Sequence, residues 1–302
     1  MDVAVLGSLN VDVVFQCADF PKPGETILCE DSRRGPGGKG LNQAVAAARA
    51  GASTAMIGAV GQDGDGDYLL NLIGQDQIDV SRISRLANLP TGLAHIIIDR
   101  HGENSIVVSS GANASPLLEQ TSAAEIRASV RLAQLEVPVA AVKKFFAGAG
   151  PEECCILNAA PARDEAREVF PECDIVIVNE HELAHFVGLA AAPCNGDDIA
   201  LAARTLITRP EQAVLVTLGA QGTQLVTLDE NLVIGTRAVT PVDTTGAGDC
   251  FCGVLAERLS QSASLEEAVH FANMAASIAV TREGAASAMP AANDIREIAQ
   301  SA

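Results

Sequence analysis

Three clusters in the sequence combine residue types and spacings that do chemistry. The densest is "TPVDTTGAGDCFCGVLAERL", residues 240–259. After a strand-like "RAVTPV", Asp243 and two threonines precede Gly246-Ala247-Gly248-Asp249, and an amphipathic helical pattern begins at once. Small residues at a strand-to-helix turn let backbone N–H groups converge on an anion, and the helix N-terminus adds partial positive charge. The carboxylate there, Asp249, has two readings: it complements the helix dipole, or it accepts a proton from a hydroxyl that attacks a bound phosphate. The second cluster, "GPGGKGLNQAVAAARAGA" (35–52), again opens an Ala-rich helix with glycines. It is not a Walker A loop, because Gly40 follows Lys39 where a hydroxyl is required and Arg33 stands where the first glycine belongs. Lys39, Asn42 and Gln43 therefore read as hydrogen-bonding groups for a polyol.

The third cluster is ambiguous. "IVIVNEHELAHFVGL" (175–189) contains His181-Glu182-Leu183-Ala184-His185, which fits the H-E-x-x-H pattern of zinc peptidases. The same letters read as Asn179-x-x-Glu182 at the end of an apolar strand. The zinc reading needs a third ligand and a longer helix, yet the only later histidine is His270 and Gly188 stands close by. Asn10 and Asp12 in "GSLNVD" follow the first strand, where ligands of open α/β sheets collect. "DGDGD" (63–67) suggests calcium, but Tyr68 and Gly74 occupy the positions where an EF-hand needs Gly and Glu.

The elements that must hold these residues alternate. Short β-branched runs ("VAVLGSL", "TAMIGAVG", "CCILNAAP", "DIVIVN", "AVLVTLG") are separated by Ala-rich amphipathic segments, and two helices close the pattern near 247–260 and 265–280. This is the rhythm of β-α-β units and a mainly parallel sheet, expected as one domain over 1–302. Two stretches break it. Residues 91–110 and 11–35 each pair two extended runs around a polar or Pro/Gly turn, which predicts a small inserted sheet able to cover a site as a lid. With 20 basic and 38 acidic residues, a net charge of −18 and no Trp, the chain is unsuited to nucleic acid and to anionic membranes. The N-terminal segment carries no export signal and the eight cysteines lack metal or disulfide spacing, so free thiols and a cytoplasmic location are expected.

In order, the chain presents "GSLNVD", "FPKPGET", "GGKGLNQAVAAARAGA", "GENSIVVSSGAN", "QLE", "NAAPAR", "VNEHE", "VTLGAQG", "DTTGAGDCFCG" and "AVTREGA". Together these resemble the ribokinase-like (PfkB) carbohydrate kinases over nearly the whole length. The resemblance implies a three-layer α/β/α fold, with a mainly parallel central sheet flanked by helices and a small β-sheet lid. It implies ATP-dependent phosphorylation of a sugar hydroxyl, and the lysine of "GGKG" resembles members acting on the 5-hydroxyl of D-ribose. Deoxyribose, a nucleoside or another small sugar is the alternative acceptor, and a zinc peptidase a remote one. A binding protein without turnover would be expected to lack Asp249.

Carried over by position, Asp249 would be the catalytic base, and the N–H groups of Gly246, Ala247 and Gly248 an anion hole. Asn10, Asp12, Gly38, Lys39, Asn42 and Glu136 would hold the sugar. Thr217, Gly219 and Gly222 would line the nucleotide site with Gly248, and Asn273 would lie near the adenine, where many relatives have His. Asn179 and Glu182 would organise Mg2+ and its waters around the phosphates. Asp243, Thr245, Ala279, Arg282 and Gly284 match a monovalent-cation loop for K+, although Ala288, next to Ser287, stands where relatives tend to have Ser. Lids of this family commonly pair between subunits, which implies a homodimer.

Overall fold

The structure, a computed structural model, describes residues 1–101, 103–120, 125–193 and 195–299. Its strands are β1 (Val3–Leu6), β2 (Asn10–Gln16), β3 (Asp31–Gly37), β4 (Thr54–Gly61), β5 (Asp79–Leu86), β6 (Gly92–Ile98), β7 (Asn104–Ser109), β8 (Val130–Gln134), β9 (Cys154–Asn158), β10 (Ile175–Asn179), β11 (Ala213–Thr217), β12 (Thr223–Val226) and β13 (Asn231–Ile234). Its helices are α1 (Lys39–Ala50), α2 (Gly64–Gln75), α3 (Val139–Ala147), α4 (Glu180–Val187), α5 (Gly196–Arg204), α6 (Ala247–Ser260), α7 (Leu265–Ala279) and α8 (Ala292–Ala299).

Strands β1, β4 and β8 are buried throughout, as continuous apolar runs must be when helices cover both faces of a parallel sheet. Among the described residues they belong to a nine-stranded sheet ordered β13-β12-β11-β10-β9-β8-β1-β4-β5. Pairing is parallel from β5 to β11 and antiparallel at β12 and β13. Two apolar clusters fill its faces. One packs Leu41, Val45, Leu69, Phe251, Val254, Val269 and Ile295 from α1, α2, α6, α7 and α8 against the sheet. The other packs Val142, Phe145, Leu183, Phe186 and Ile199 from α3, α4 and α5. The expected three-layer arrangement is therefore present.

The expected lid is also present, as a four-stranded sheet ordered β3-β2-β6-β7. Both pairs are antiparallel hairpins, β2 with β3 and β6 with β7, and β2 lies parallel to β6 to join them. The turn at Gly102, like Cys194, lies outside the described residues; the seven described cysteines are free thiols.

One sequence reading needs correction, and two motifs that the sequence already argued against as metal sites prove to be helix features. "RAVTPV" forms no strand; Pro241 has no N–H to give a ladder, and instead the Val242 and Asp243 N–H groups both bond the Val280 carbonyl. The "DGDGD" run is a helix start: Asp63 caps α2 by accepting from the Gly66 N–H (2.8 Å) and also receives the Thr91 hydroxyl (2.6 Å). The HELAH motif, already the remote reading, lies on a short surface helix. Its helix ends at Gly188, in the left-handed region at φ 71°, both histidines are exposed, and His185 Nε2 meets Asp164 at 3.0 Å. Among the described residues no group of three His, Cys, Asp or Glu side chains converges for a metal.

Candidate active site

Helix α6 starts where Gly246 takes φ 76°, ψ 2°. A Cβ built there would stand 3.0 Å from Ala285 Cβ, so glycine is required both for the left-handed turn and for the close approach. Asp249 follows in the first turn, only 6% exposed. Its Oδ2 accepts from Asn42 Nδ2 (2.9 Å) and its Oδ1 from Gln43 Nε2 (2.9 Å), which sets the second glycine-led helix, α1, beside the first. Gln43 also donates to Asn158 Oδ1 (3.1 Å) and accepts from Gln134 Nε2 (2.6 Å). It thus stands behind the carboxylate and is not a free polyol contact. Asn42 Oδ1 is buried without a partner.

Around Asp249 the charges are unbalanced. Burial raises the Asp249 carboxyl above its ordinary value, against the opposing pull of Lys39 and the two amide donors. Lys39 is raised in turn, chiefly by Asp249, with Glu136 and Glu182 adding to it. Asp12 is pushed up to about 7 by burial, then by Glu136 and Asp249. Glu182 is raised by burial, although the Asn179 N–H and Lys39 act the other way. Three carboxylates, Asp249, Glu136 and Glu182, therefore face one lysine, and Asp12 stands close to two of them.

Two hydrogen-bonded sets hold several of the sugar candidates in place. Glu136 Oε2 accepts from the Lys39 N–H (3.0 Å) and from the Ser8 hydroxyl (2.5 Å). Asn10, 3% exposed, accepts at Oδ1 from Asn113 Nδ2 (2.7 Å), and Asn113 also clamps both backbone groups of Leu9. Asn113 was not singled out from the sequence although it ends the "SGAN" motif; its role depends on meeting Asn10 across more than a hundred residues. Gly38, at φ 90°, lets α1 begin against the Ser8 carbonyl, 2.9 Å from where a Cβ would lie.

Lys39, Asn179, Glu182, Thr217, Gly246, Ala247, Gly248 and Asp249 line one cavity of about 120 Å3 with Asn158, Thr244 and Cys252. Thr217, Thr244, Ala247 and Gly248 also line an adjoining cavity of about 360 Å3 that reaches Gly219, Gly222, Phe251 and Asn273. Asn179 and Glu182 form a reciprocal cap on α4, each backbone N–H bonding the other's side chain at 2.8 Å. Asn273 lines the larger cavity, but its amide is committed: it accepts from Thr223 Oγ1 (2.8 Å) and donates to the Ile234 carbonyl (2.9 Å). Of the three candidate anion-hole donors, Ala247 N–H makes a long bond to the Thr244 carbonyl (3.3 Å).

Asp243, Thr245 and Gly284 lie together on a third cavity, of about 300 Å3, whose other wall is the lid with Asp12, Val14, Arg33 and Ile96. Asp243 accepts from the N–H groups of Thr245 (2.9 Å) and Gly284 (3.0 Å). Burial would raise its carboxyl, but those bonds and Arg33 hold it below the ordinary range. The Ala279 carbonyl accepts from the Arg282 N–H (3.0 Å), while the Arg282 side chain turns away to Asp294 (2.8 Å).

Residues 1–292 match the pfkB family of carbohydrate kinases. The chain is 36% identical over 304 aligned positions to a ribokinase of Haemophilus influenzae, covering 99% of each. It is 33% identical to a deoxyribokinase of Salmonella typhi, covering 98% of each. Its fold superposes with TM-score 0.87 on an Arabidopsis thaliana ribokinase solved with ribose and ATP, at 28% identity and 98% of each chain.

Proposed function

The chain belongs to the pfkB family of carbohydrate kinases, and from that premise we propose that it transfers the γ-phosphoryl group of ATP to the 5-hydroxyl of D-ribose, giving D-ribose 5-phosphate and ADP. The observation that carries this reading is the buried Asp249 carboxylate, fixed by two amides in the first turn of a glycine-led helix and facing Lys39. A peptidase from the HELAH motif is discarded.

In this mechanism Asp249 takes the proton of the sugar hydroxyl as it attacks, and the rise that burial imposes on its carboxyl makes it a stronger base than an exposed aspartate. The α6 N-terminus, with the N–H groups of Gly246, Ala247 and Gly248, receives the charge that develops on the transferring group. Asn10, Asp12, Gly38, Lys39, Asn42 and Glu136 hold the sugar. The unpaired Asn42 Oδ1 is an acceptor that a bound hydroxyl satisfies, and a sugar lacking that hydroxyl leaves it unpaired. ATP occupies the cavity between Thr217, Gly219, Gly222, Gly248 and Asn273; packing against the Asn273 side of that cavity, rather than the committed amide, receives the adenine.

Glu182 uses one carboxylate oxygen on the Asn179 N–H, so the other suits a water of Mg2+. That ion offsets phosphate charge when bound with ATP. The ionised Asp243, with oxygens of Thr245, Ala279, Arg282 and Gly284, suits K+. The lid strands exclude water from the reacting groups. On β7, Ile106, Val107 and Val108 are 51%, 69% and 49% exposed, an apolar edge strand of the kind that pairs with another chain. A second copy covering it makes the homodimer, and the free thiols fit the cytoplasm. The deoxyribokinase relative keeps 2-deoxy-D-ribose as the second acceptor.

ADP release measured over pentoses, hexoses and nucleosides, in K+ and in Na+, tests the assignment. D-ribose giving the highest kcat/KM supports it; a nucleoside or hexose ranking first overturns the acceptor.

A further inference from the structure

We propose that Arg49 is a positioning residue for phosphoryl transfer, holding the loop 285–289 against Gly246 so that the α6 N-terminus keeps the shape that receives the phosphoryl group. The proposal rests on the reading of Gly246 to Gly248 as the anion-receiving turn. Arg49 lies in the last turn of α1, far along the helix from Lys39 and Asn42. Its Nε and Nη2 form a fork on Asp76 at 2.7 and 3.1 Å. Its Nη1 reaches three carbonyls of one loop, those of Ala286 (2.9 Å), Met289 (3.3 Å) and Ser287 (3.4 Å).

The regular structure of that loop is a single turn of 3-10 helix at Ala286–Ala288, with Ala286, Ala288 and Met289 buried, and its carbonyls at 286, 287 and 289 all turn to Arg49. Its inner side touches the turn directly: a Cβ on Gly246 would meet Ala285 Cβ at 3.0 Å and Met289 Cε at 3.4 Å. One guanidinium thus anchors the outer side of the segment whose inner side packs on the glycine that starts α6. An arginine serving only helix solubility needs no such convergence of carbonyls. Lysine cannot reproduce the fork and the third contact together.

Arg49→Ala frees the loop, and a misplacement near 1 Å at a reacting centre costs roughly a hundredfold in rate. The expected result is a kcat loss on the order of ten- to a hundredfold with the sugar KM unchanged, since Lys39 and Asn42 keep their places. Arg49→Lys recovers part of the loss. Millimolar guanidinium restores kcat in Arg49→Ala but changes neither wild type nor Asp249→Asn, and melting curves run alongside show whether the variants are folded. Unchanged kcat in folded Arg49→Ala overturns the proposal. So does a loss shared by kcat, KM and melting temperature without guanidinium rescue, which is what a scaffold role gives. Full turnover by Asp249→Asn would remove the premise itself, whereas dead Asp249→Asn beside fully active Arg49→Ala refutes the positioning role alone.

Discussion

Replacing Gln43 by leucine isolates what fixes the Asp249 carboxylate, the proposed base. Gln43 is fully buried and donates to Asp249 Oδ1 at 2.9 Å. Leucine keeps most of the volume, so no water enters to replace the lost donor. A hydrogen bond to a charged acceptor is worth about 1.5–3 kcal/mol, and each 1.36 kcal/mol is tenfold in a protonation equilibrium. The bond favours the ionised form, so its loss moves Asp249 toward the acid by at least about tenfold. The other groups facing Asp249, namely Lys39, Glu136, Asp12 and Glu182, stay in place. The acidic limb of kcat/KM should therefore move to higher pH, because the base is now protonated where it was ionised before. Stability should fall as well, since Gln134 Nε2 and Asn158 Oδ1 lose their partner at about 1–3 kcal/mol each when buried. ADP quantified in quenched samples across a pH series gives the limb directly. An acidic limb that stays in place, or moves to lower pH, in a folded Gln43→Leu protein would refute the account of Asp249 as a base held by this amide.

Asp249→Asn should abolish turnover while calorimetry still detects sugar binding; retained turnover would remove Asp249 as the base. Glu182→Gln should raise the Mg2+ concentration needed for half-maximal rate, whereas His185→Ala, which loses an exposed pairing with Asp164 and a ring contact with Phe186, should change kinetics little; the reverse pattern would reinstate a metal role for the histidines. Asp12 titrates near 7 when folded against 3.8 ordinarily, so as pH rises between these values the unfolded chain ionises first and the free protein loses stability. Asp12→Asn should show a flatter melting-temperature profile over that range, together with a higher sugar KM; parallel profiles for the two proteins would contradict the burial of that carboxyl.

The fold was legible because its signals are local. The β-branched runs and Ala-rich segments gave the parallel sheet and its helices, with β4 and α6 starting where the patterns change. The glycines before α1 and α6 marked two helix starts whose first turns meet at Asp249. What the sequence hid is set by contacts distant along the chain. Gln43 reads as one more polar group in "GLNQ", and only its meeting with Asp249, Asn158 and Gln134 shows that it faces the base. Asn273 is similar: nothing local reveals that Thr223 and the Ile234 carbonyl use its amide. "RAVTPV" misled because alternation alone does not make a strand where Pro241 interrupts and no neighbour offers a ladder.

The electrostatics of the site also bear on which ligand goes where. Glu136, Asp249 and Glu182 face Lys39, and Asp12 stands near Glu136 and Asp249, in a chain of net charge −18, so this floor of carboxylates would repel an anion placed on it. Such a floor suits a ligand with many hydroxyls to donate, because each donation favours the charged carboxylates that burial penalises. An anion finds positive potential at the N-terminus of α6, where backbone N–H groups supply it, and at the Lys39 ammonium. In the proposed reaction the hydroxyl-rich acceptor and the phosphate chain would thereby be sorted to opposite sides of Asp249. Its two amide bonds leave a carboxylate that is oriented yet raised by burial, at the point where the proposed reaction would bring the two ligands together.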